Sequence, residues 1–244
     1  PDQLDEKIRR IEASRFLRMQ GVHVHIGSQI QTTAPFAEAV QRLATLGEFA
    51  EYNVGGGLGV RYTRDEKVAS VDEYLDAITT AARDHLPRDA RLIIEPGRSM
   101  VARAVVTLYT VVTKKSTGRH FVAVDGGMGD NLEGSLTGQP FEACVATRLD
   151  GNDDQRYELV GRHCESGDRI ASGVSLQNPT VGDTIAVPVT GAYTYTLANN
   201  YNGALRAPVV FCNDGQARLV ARRETYSDLL RLHEPVLGDV GMAR

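Results

Sequence analysis

Leu92-Ile93-Ile94-Glu95-Pro96-Gly97-Arg98 is the stretch that decides the fold: three apolar residues run straight into an acid, a proline, a glycine and a base. An apolar triplet bounded in this way reads as a buried strand whose carboxyl end turns polar, so Glu95 and Arg98 emerge together at its mouth. The same change recurs twice upstream. Val22 to Ile26 leads into Gly27-Ser28, and Tyr52-Asn53-Val54 runs into Gly55-Gly56-Gly57-Leu58-Gly59. Between the strands the spacing becomes helical, at Leu4, Ile8 and Ile11, at Phe36, Val40 and Leu43, and at Tyr74, Ile78 and Ala81. Asp2 is read as the cap of the first helix and Gly21 as its end; Thr33 is a cap for the second. Ser70 and Glu73 match a capping box ahead of the third. Strands alternating with helices argue for parallel βα units, and a (β/α)8 barrel keeps its working loops at the carboxyl ends of its strands. A complete barrel takes about 250 residues, whereas only about three of the eight strands are legible over residues 1–104. The expectation is an α/β architecture, a partial (β/α)8 barrel.

From about residue 105 the pattern changes. Val105 to Val112 is rich in β-formers, and short strands follow near 120–125, 157–163, 184–189 and 207–211. Turn signals at Gly126-Gly127, Asn152-Asp153, Gly182-Asp183 and Asp214-Gly215 separate them, which predicts a C-terminal β domain, a sandwich or barrel, over 105–244.

The composition is that of a globular protein, with 42% apolar and 24% charged residues. A net charge of -4 offers no basic field for nucleic acid or an anionic membrane. No apolar run approaches the roughly 20 residues that span a bilayer. Three cysteines, an odd number without metal-like pairing, favour a reducing compartment and hence the cytoplasm.

Several constellations carry chemistry. Gly55-Gly56-Gly57-Leu58-Gly59 follows a strand, so its amides suit a phosphate; a tight turn chosen for packing is the competing reading. Glu95 suits a protonated ring nitrogen and Arg98 a phosphate or carboxylate, against a salt-bridged strand end. His23 and His25 flank Val24 and are assigned to opposite faces of the strand, His23 as a structural group and His25 as the site candidate. Cys164-Glu165-Ser166-Gly167-Asp168 sets a thiol beside a carboxylate, able to move a proton or simply a buried cysteine beside a solvated acid. The segment from Gly191-Ala192-Tyr193 to Asn200-Tyr201-Asn202 ends a polar turn on a tyrosine.

Taken in order with His25-Ile26-Gly27-Ser28-Gln29 and Asp125-Gly126-Gly127-Met128, these motifs resemble the diaminopimelate decarboxylase family throughout the chain. That family belongs to the fold group of ornithine decarboxylase and alanine racemase. The resemblance implies pyridoxal 5'-phosphate as cofactor. His25 would stack on its ring, and Glu95 would keep its nitrogen protonated. Ser28, Gly55, Gly56, Gly57, Gly97 and Arg98 would surround the phosphate, and Tyr201 would lie against cofactor and substrate. Cys164 would protonate the substrate carbon after carbon dioxide leaves, with Glu165 at the far amino end and Arg98 also lining the substrate's side. The implied reaction is decarboxylation of an amino acid, meso-diaminopimelate to lysine or a related basic or modified amino acid. The implied assembly is a homodimer with Cys164 and Glu165 reaching into the partner's barrel. A racemase would need a tyrosine donor on the opposite face, which the Cys164 motif speaks against. A homologue without catalysis is the rival from another class.

Two departures accompany the resemblance. The family's cofactor lysine lies in a Tyr-Ala-x-Lys-like motif on an early barrel strand, and Lys7, Lys67, Lys114 and Lys115 stand in no such context. The chain begins with Pro1 rather than Met, and the lysine-bearing segment is expected outside it, upstream, on another chain or absent from the gene. The family also follows Asp-Gly-Gly-Met with an arginine and a tyrosine that grip a substrate carboxylate; Glu133 and Thr137 occupy those positions here, which predicts an altered substrate pocket.

Overall fold

The computed structural model describes residues 2–149 and 155–233. The chain divides into two compact units, residues 1–107 with 187–192, and residues 108–186 with 193–244. The short return segment joins the first unit because Thr190 and Gly191 donate amide hydrogen bonds to the carbonyls of Val105 (3.1 Å) and Ala102 (2.9 Å).

In the first unit α1 (Asp2–Glu12), β1 (Gly21–His23), α2 (Ala34–Ala44), β2 (Glu51–Asn53), α3 (Val71–His85), β3 (Arg91–Ile93) and α4 (Arg98–Val101) follow one another. The strands form a parallel sheet in the order β1-β2-β3, with Val22 opposite Tyr52 and Tyr52 opposite Leu92. Helices α2 and α3 bury their apolar faces against it, bringing Phe36, Val40, Leu43, Tyr74 and Ile78 onto Tyr52 and Val54. Phe36 and Tyr74 meet edge to face at 4.7 Å. Each such large side chain contributes roughly 1.5–3 kcal/mol on burial. The result is a partial (β/α) barrel, as the alternation predicts.

The capping box forms: Ser70 Oγ accepts from the Glu73 amide at 3.1 Å, and the Glu73 carboxylate accepts from the Ser70 amide at 2.7 Å. Thr33, by contrast, makes no side-chain cap. It sits in the helical region ahead of Pro35, which has no N–H for a cap to satisfy. Helix α1 stops at Glu12, well short of Gly21, where the Phe16 amide turns to Ser14 Oγ at 3.2 Å. The cap expected of Asp2 concerns a side chain outside the described residues.

Strand β4 (Val106–Ser116) leads into the second unit, followed by β5 (His120–Val124), α5 (Leu132–Thr137), β6 (Cys144–Val145), β7 (Arg156–Val160), β8 (Arg169–Ser175), β9 (Thr184–Pro188), β10 (Val209–Asn213), β11 (Gln216–Ala221) and α6 (Tyr226–Leu230). Six strands join in the order β6-β9-β4-β5-β7-β8, and β10 and β11 make a hairpin. Alternate residues Tyr109, Val111, Val122, Val124, Tyr157 and Leu159 are buried on one face. The strand expected to reach residue 163 ends at Val160, because Gly161 turns to bond the Asp168 carbonyl and closes a loop. Strand β8, interrupted by Ser172 and Gly173, gives no clear apolar signal. The turn expected at Asn152-Asp153 lies outside the described residues. Among the described residues no helix is long and apolar enough to cross a membrane.

Candidate active site

The ladder of β1–β3 continues past the strand ends. Val24 donates to the Asn53 carbonyl (2.9 Å), Val54 to Ile93 (2.9 Å) and Glu95 to Gly55 (2.8 Å), so the three polar turns leave the sheet side by side. Val22, Val24 and Ile26 pack onto the core under the helices, while His23 and His25 are both exposed. The two histidines therefore share a face, correcting their assignment to opposite faces: side chains two apart on a strand point the same way.

Glu95 is organised by that face. Its Oε1 accepts from Asn53 Nδ2 at 2.7 Å, and its Oε2 lies 3.6 Å from His23 Nε2, with both ion-pair partners about half exposed. His23 is thus a neighbour of the candidate acid, which its reading as a merely structural group did not foresee. His25 accepts the Gly56 amide proton at Nδ1 (3.2 Å), which leaves Nε2 to carry the proton of the neutral ring. Arg98 is buried at the start of α4; its Nη2 donates to Ser28 Oγ at 3.2 Å, its Nη1 donates to the Tyr62 hydroxyl, and its guanidinium lies 5.6 Å from the Tyr62 ring centroid. Gly97 faces open space, with nothing within 4 Å of where a Cβ would stand.

The triple glycine is required by packing. A Cβ on Gly55, Gly56 or Gly57 would overlap the carbonyl oxygen of Val24, Glu95 or Gly27, respectively. Gln29 braces the same loop from the side, accepting from the Val60 amide (3.1 Å) and donating to its carbonyl (2.6 Å). The sequence reading gave no role to Tyr62, Asn53 or Gln29. Asn53, two residues ahead of Gly55 on the face that bears His23, is the one whose position signalled a role.

In the second unit three distant segments converge. The Arg162 amide donates to the Gly126 carbonyl (3.0 Å), and the Asn199 amide to Gly129 (2.9 Å). Asp168, 3% exposed, accepts from the Met128 amide at Oδ1 (2.6 Å) and from the His163 amide at Oδ2 (2.7 Å). The His163 ring lies 5.3 Å from that of Tyr201. Cys164 and Glu165 are exposed at the tip of the loop. Cys164 is therefore not the buried thiol of the competing reading. Burial pushes the nearby Tyr109 phenol far above its ordinary range, reinforced by Asp130, Asp168 and Asp125; burial also raises the Asp130 carboxyl. Glu133 is buried in α5, and Thr137 Oγ1 donates to its carbonyl at 2.8 Å.

Residues 2–102 match the family model of the pyridoxal-dependent decarboxylase, pyridoxal binding domain. Diaminopimelate decarboxylase of Bacillus subtilis (strain 168) is 40% identical over 248 residues, 96% of this chain and 56% of the relative. The chain belongs to the diaminopimelate decarboxylase family. Another member, from Actinosynnema pretiosum subsp. auranticum, is 42% identical over 238 residues, 93% of this chain and 54% of its own. The crystal structure of diaminopimelate decarboxylase from Helicobacter pylori complexed with L-lysine superposes with a TM-score of 0.85 at 31% identity, covering 95% of this chain and 58% of that one. The chain spans about half the length of the curated relatives it matches.

Proposed function

We propose that this chain forms part of a pyridoxal-phosphate-dependent amino-acid decarboxylase that converts meso-diaminopimelate to L-lysine. The observation that carries the reading is the end of β3, where an exposed carboxylate held by Asn53 stands three residues before a buried arginine that donates to Ser28. That set fits the cofactor: a cation and a hydroxyl suit its phosphate beside a glycine run whose bare backbone lets it approach, and an anion suits a protonated pyridine nitrogen. Arg98, Ser28, Gly55, Gly56, Gly57 and Gly97 would hold the phosphate, and Glu95 would keep the ring nitrogen protonated. When bound, the cofactor supplies an electron sink for the carbon that loses its carboxylate.

The chain's own residues do the rest. His25 would stack its imidazole on the ring, its tautomer set by the Gly56 amide. The bond between the α-carbon and the carboxylate breaks, carbon dioxide leaves, and Cys164 delivers a proton to the α-carbon. Glu165 would contact the far ammonium group, and Tyr201 would lie against cofactor and substrate. The protein acts as a homodimer in which Cys164 and Glu165 serve the partner's barrel, which explains why a β-domain thiol belongs to a barrel site.

The test assays the enzyme, with its lysine-bearing segment present, for lysine and carbon dioxide from meso-diaminopimelate. Cys164→Ala should lower kcat by about 10²–10⁴-fold with a smaller change in KM, because a proton donor acts in the transition state. An unchanged kcat would remove Cys164 from the mechanism.

A further inference from the structure

The loop that carries Cys164 is closed by short-range hydrogen bonds and tied to α5. The Glu165 amide reaches the His163 carbonyl (2.8 Å), the Asp168 amide reaches Glu165 (3.1 Å), and Ser135 Oγ donates to the Gly167 carbonyl (2.8 Å). Residues 164–167 are all exposed. The anchor lies beneath, in the Asp168 carboxylate. Its two oxygens take one amide from each of two chain segments, Met128 in the Asp125-Gly126-Gly127-Met128 turn and His163 immediately before the cysteine. Gly127 and Gly161 flank it so closely that a Cβ on either would collide with the carboxylate. Hydrogen bonds to a charged acceptor are the stronger kind, and two accepted by one buried carboxylate define a direction as well as a distance. The residue pinned on one side of this carboxylate, His163, also leans its ring on Tyr201.

We infer that Asp168 is a positioning residue that fixes Cys164 and Tyr201 relative to one another through the His163 backbone and ring. Asp168 acts through His163 and not by touching substrate or cofactor. The inference rests on the reading of Cys164 as proton donor, and its test is arranged to fail separately from that reading.

Asp168→Asn replaces one acceptor oxygen with an NH₂ group, which faces an amide N–H and leaves it unpaired. In the variant, the His163 and Met128 amides should exchange with deuterium about tenfold faster or more, while Tyr157 and Leu159 in β7 keep their protection. In the active holoenzyme, kcat should fall by about tenfold or more with KM little changed. Faster exchange throughout the unit, with kcat and KM falling together, would make Asp168 a general stabiliser and overturn the inference. So would faster exchange at His163 with kcat intact. Should Asp168→Asn not fold, Gly161→Ala decides, since its methyl group displaces the carboxylate without removing it, and the same local exchange and kcat loss are expected. Cys164→Ala is run beside them. If that variant keeps its kcat, the donor reading has failed, and the exchange pattern still reports whether Asp168 holds the loop.

Discussion

Gly56 packs so tightly on the end of β3 that a Cβ there would overlap the carbonyl oxygen of Glu95. The adjoining Glu95 amide is already committed to the Gly55 carbonyl at 2.8 Å, so the strand end has no slack in which to retreat. Gly56→Ala should therefore destabilise the protein by about 1–3 kcal/mol, the usual range for overpacking. Because Glu95 must shift, cofactor affinity should weaken as well. Urea denaturation and a pyridoxal phosphate titration check both. A loss below about 0.5 kcal/mol would mean that the loop yields and that the glycine is not demanded by this contact.

The four lysines occupy ordinary positions. Lys7 lies in α1, Lys67 is exposed in the segment before α3, and Lys114 and Lys115 are exposed on β4. None stands at the carboxyl end of β1, β2 or β3. Borohydride reduction of this chain with pyridoxal phosphate, followed by peptide mass mapping, is expected to give no stoichiometric label at any of them. One fully labelled lysine would show that the covalent anchor lies within residues 1–244.

Glu133 and Thr137 bear on specificity. The Glu133 side chain is buried, and the Thr137 hydroxyl is spent on the Glu133 carbonyl, so neither offers the cation-and-phenol grip that the family resemblance calls for. Losing a charged hydrogen bond costs on the order of 1.5–3 kcal/mol, roughly a 10- to 150-fold loss of discrimination. The enzyme is therefore expected to accept competing amino acids. Measured kcat/KM values for meso-diaminopimelate, lysine, ornithine and glutamate-derived amino acids decide the point. A preference for diaminopimelate above about 10³-fold would show that the two substitutions are neutral.

Much of the first unit was legible because its signals are local. The capping box of Ser70 and Glu73 spans three residues, and the apolar triplets that end in polar turns mark parallel strands without reference to anything distant. Where a local rule had a competitor, it failed. Thr33 met a proline with no amide to cap, and α1 gave way to the Ser14 hydroxyl well before Gly21.

Periodicity and the polar turns at the strand ends were enough to determine a partial barrel and a β domain, and the order of the motifs pointed to the family. Which residues serve those motifs was decided only by the tertiary structure. Asn53 and His23 reach Glu95 across 42 and 72 positions, Tyr62 meets Arg98 across 36, and Asp168 joins Met128 across 40. Likewise, only the fold shows that a Cβ on any glycine of the run would meet the backbone carbonyl of Val24, Glu95 or Gly27. Strand register and loop closure set these partners. Both come from the packing of the whole unit, and a partner chosen through space leaves no periodic trace along the chain.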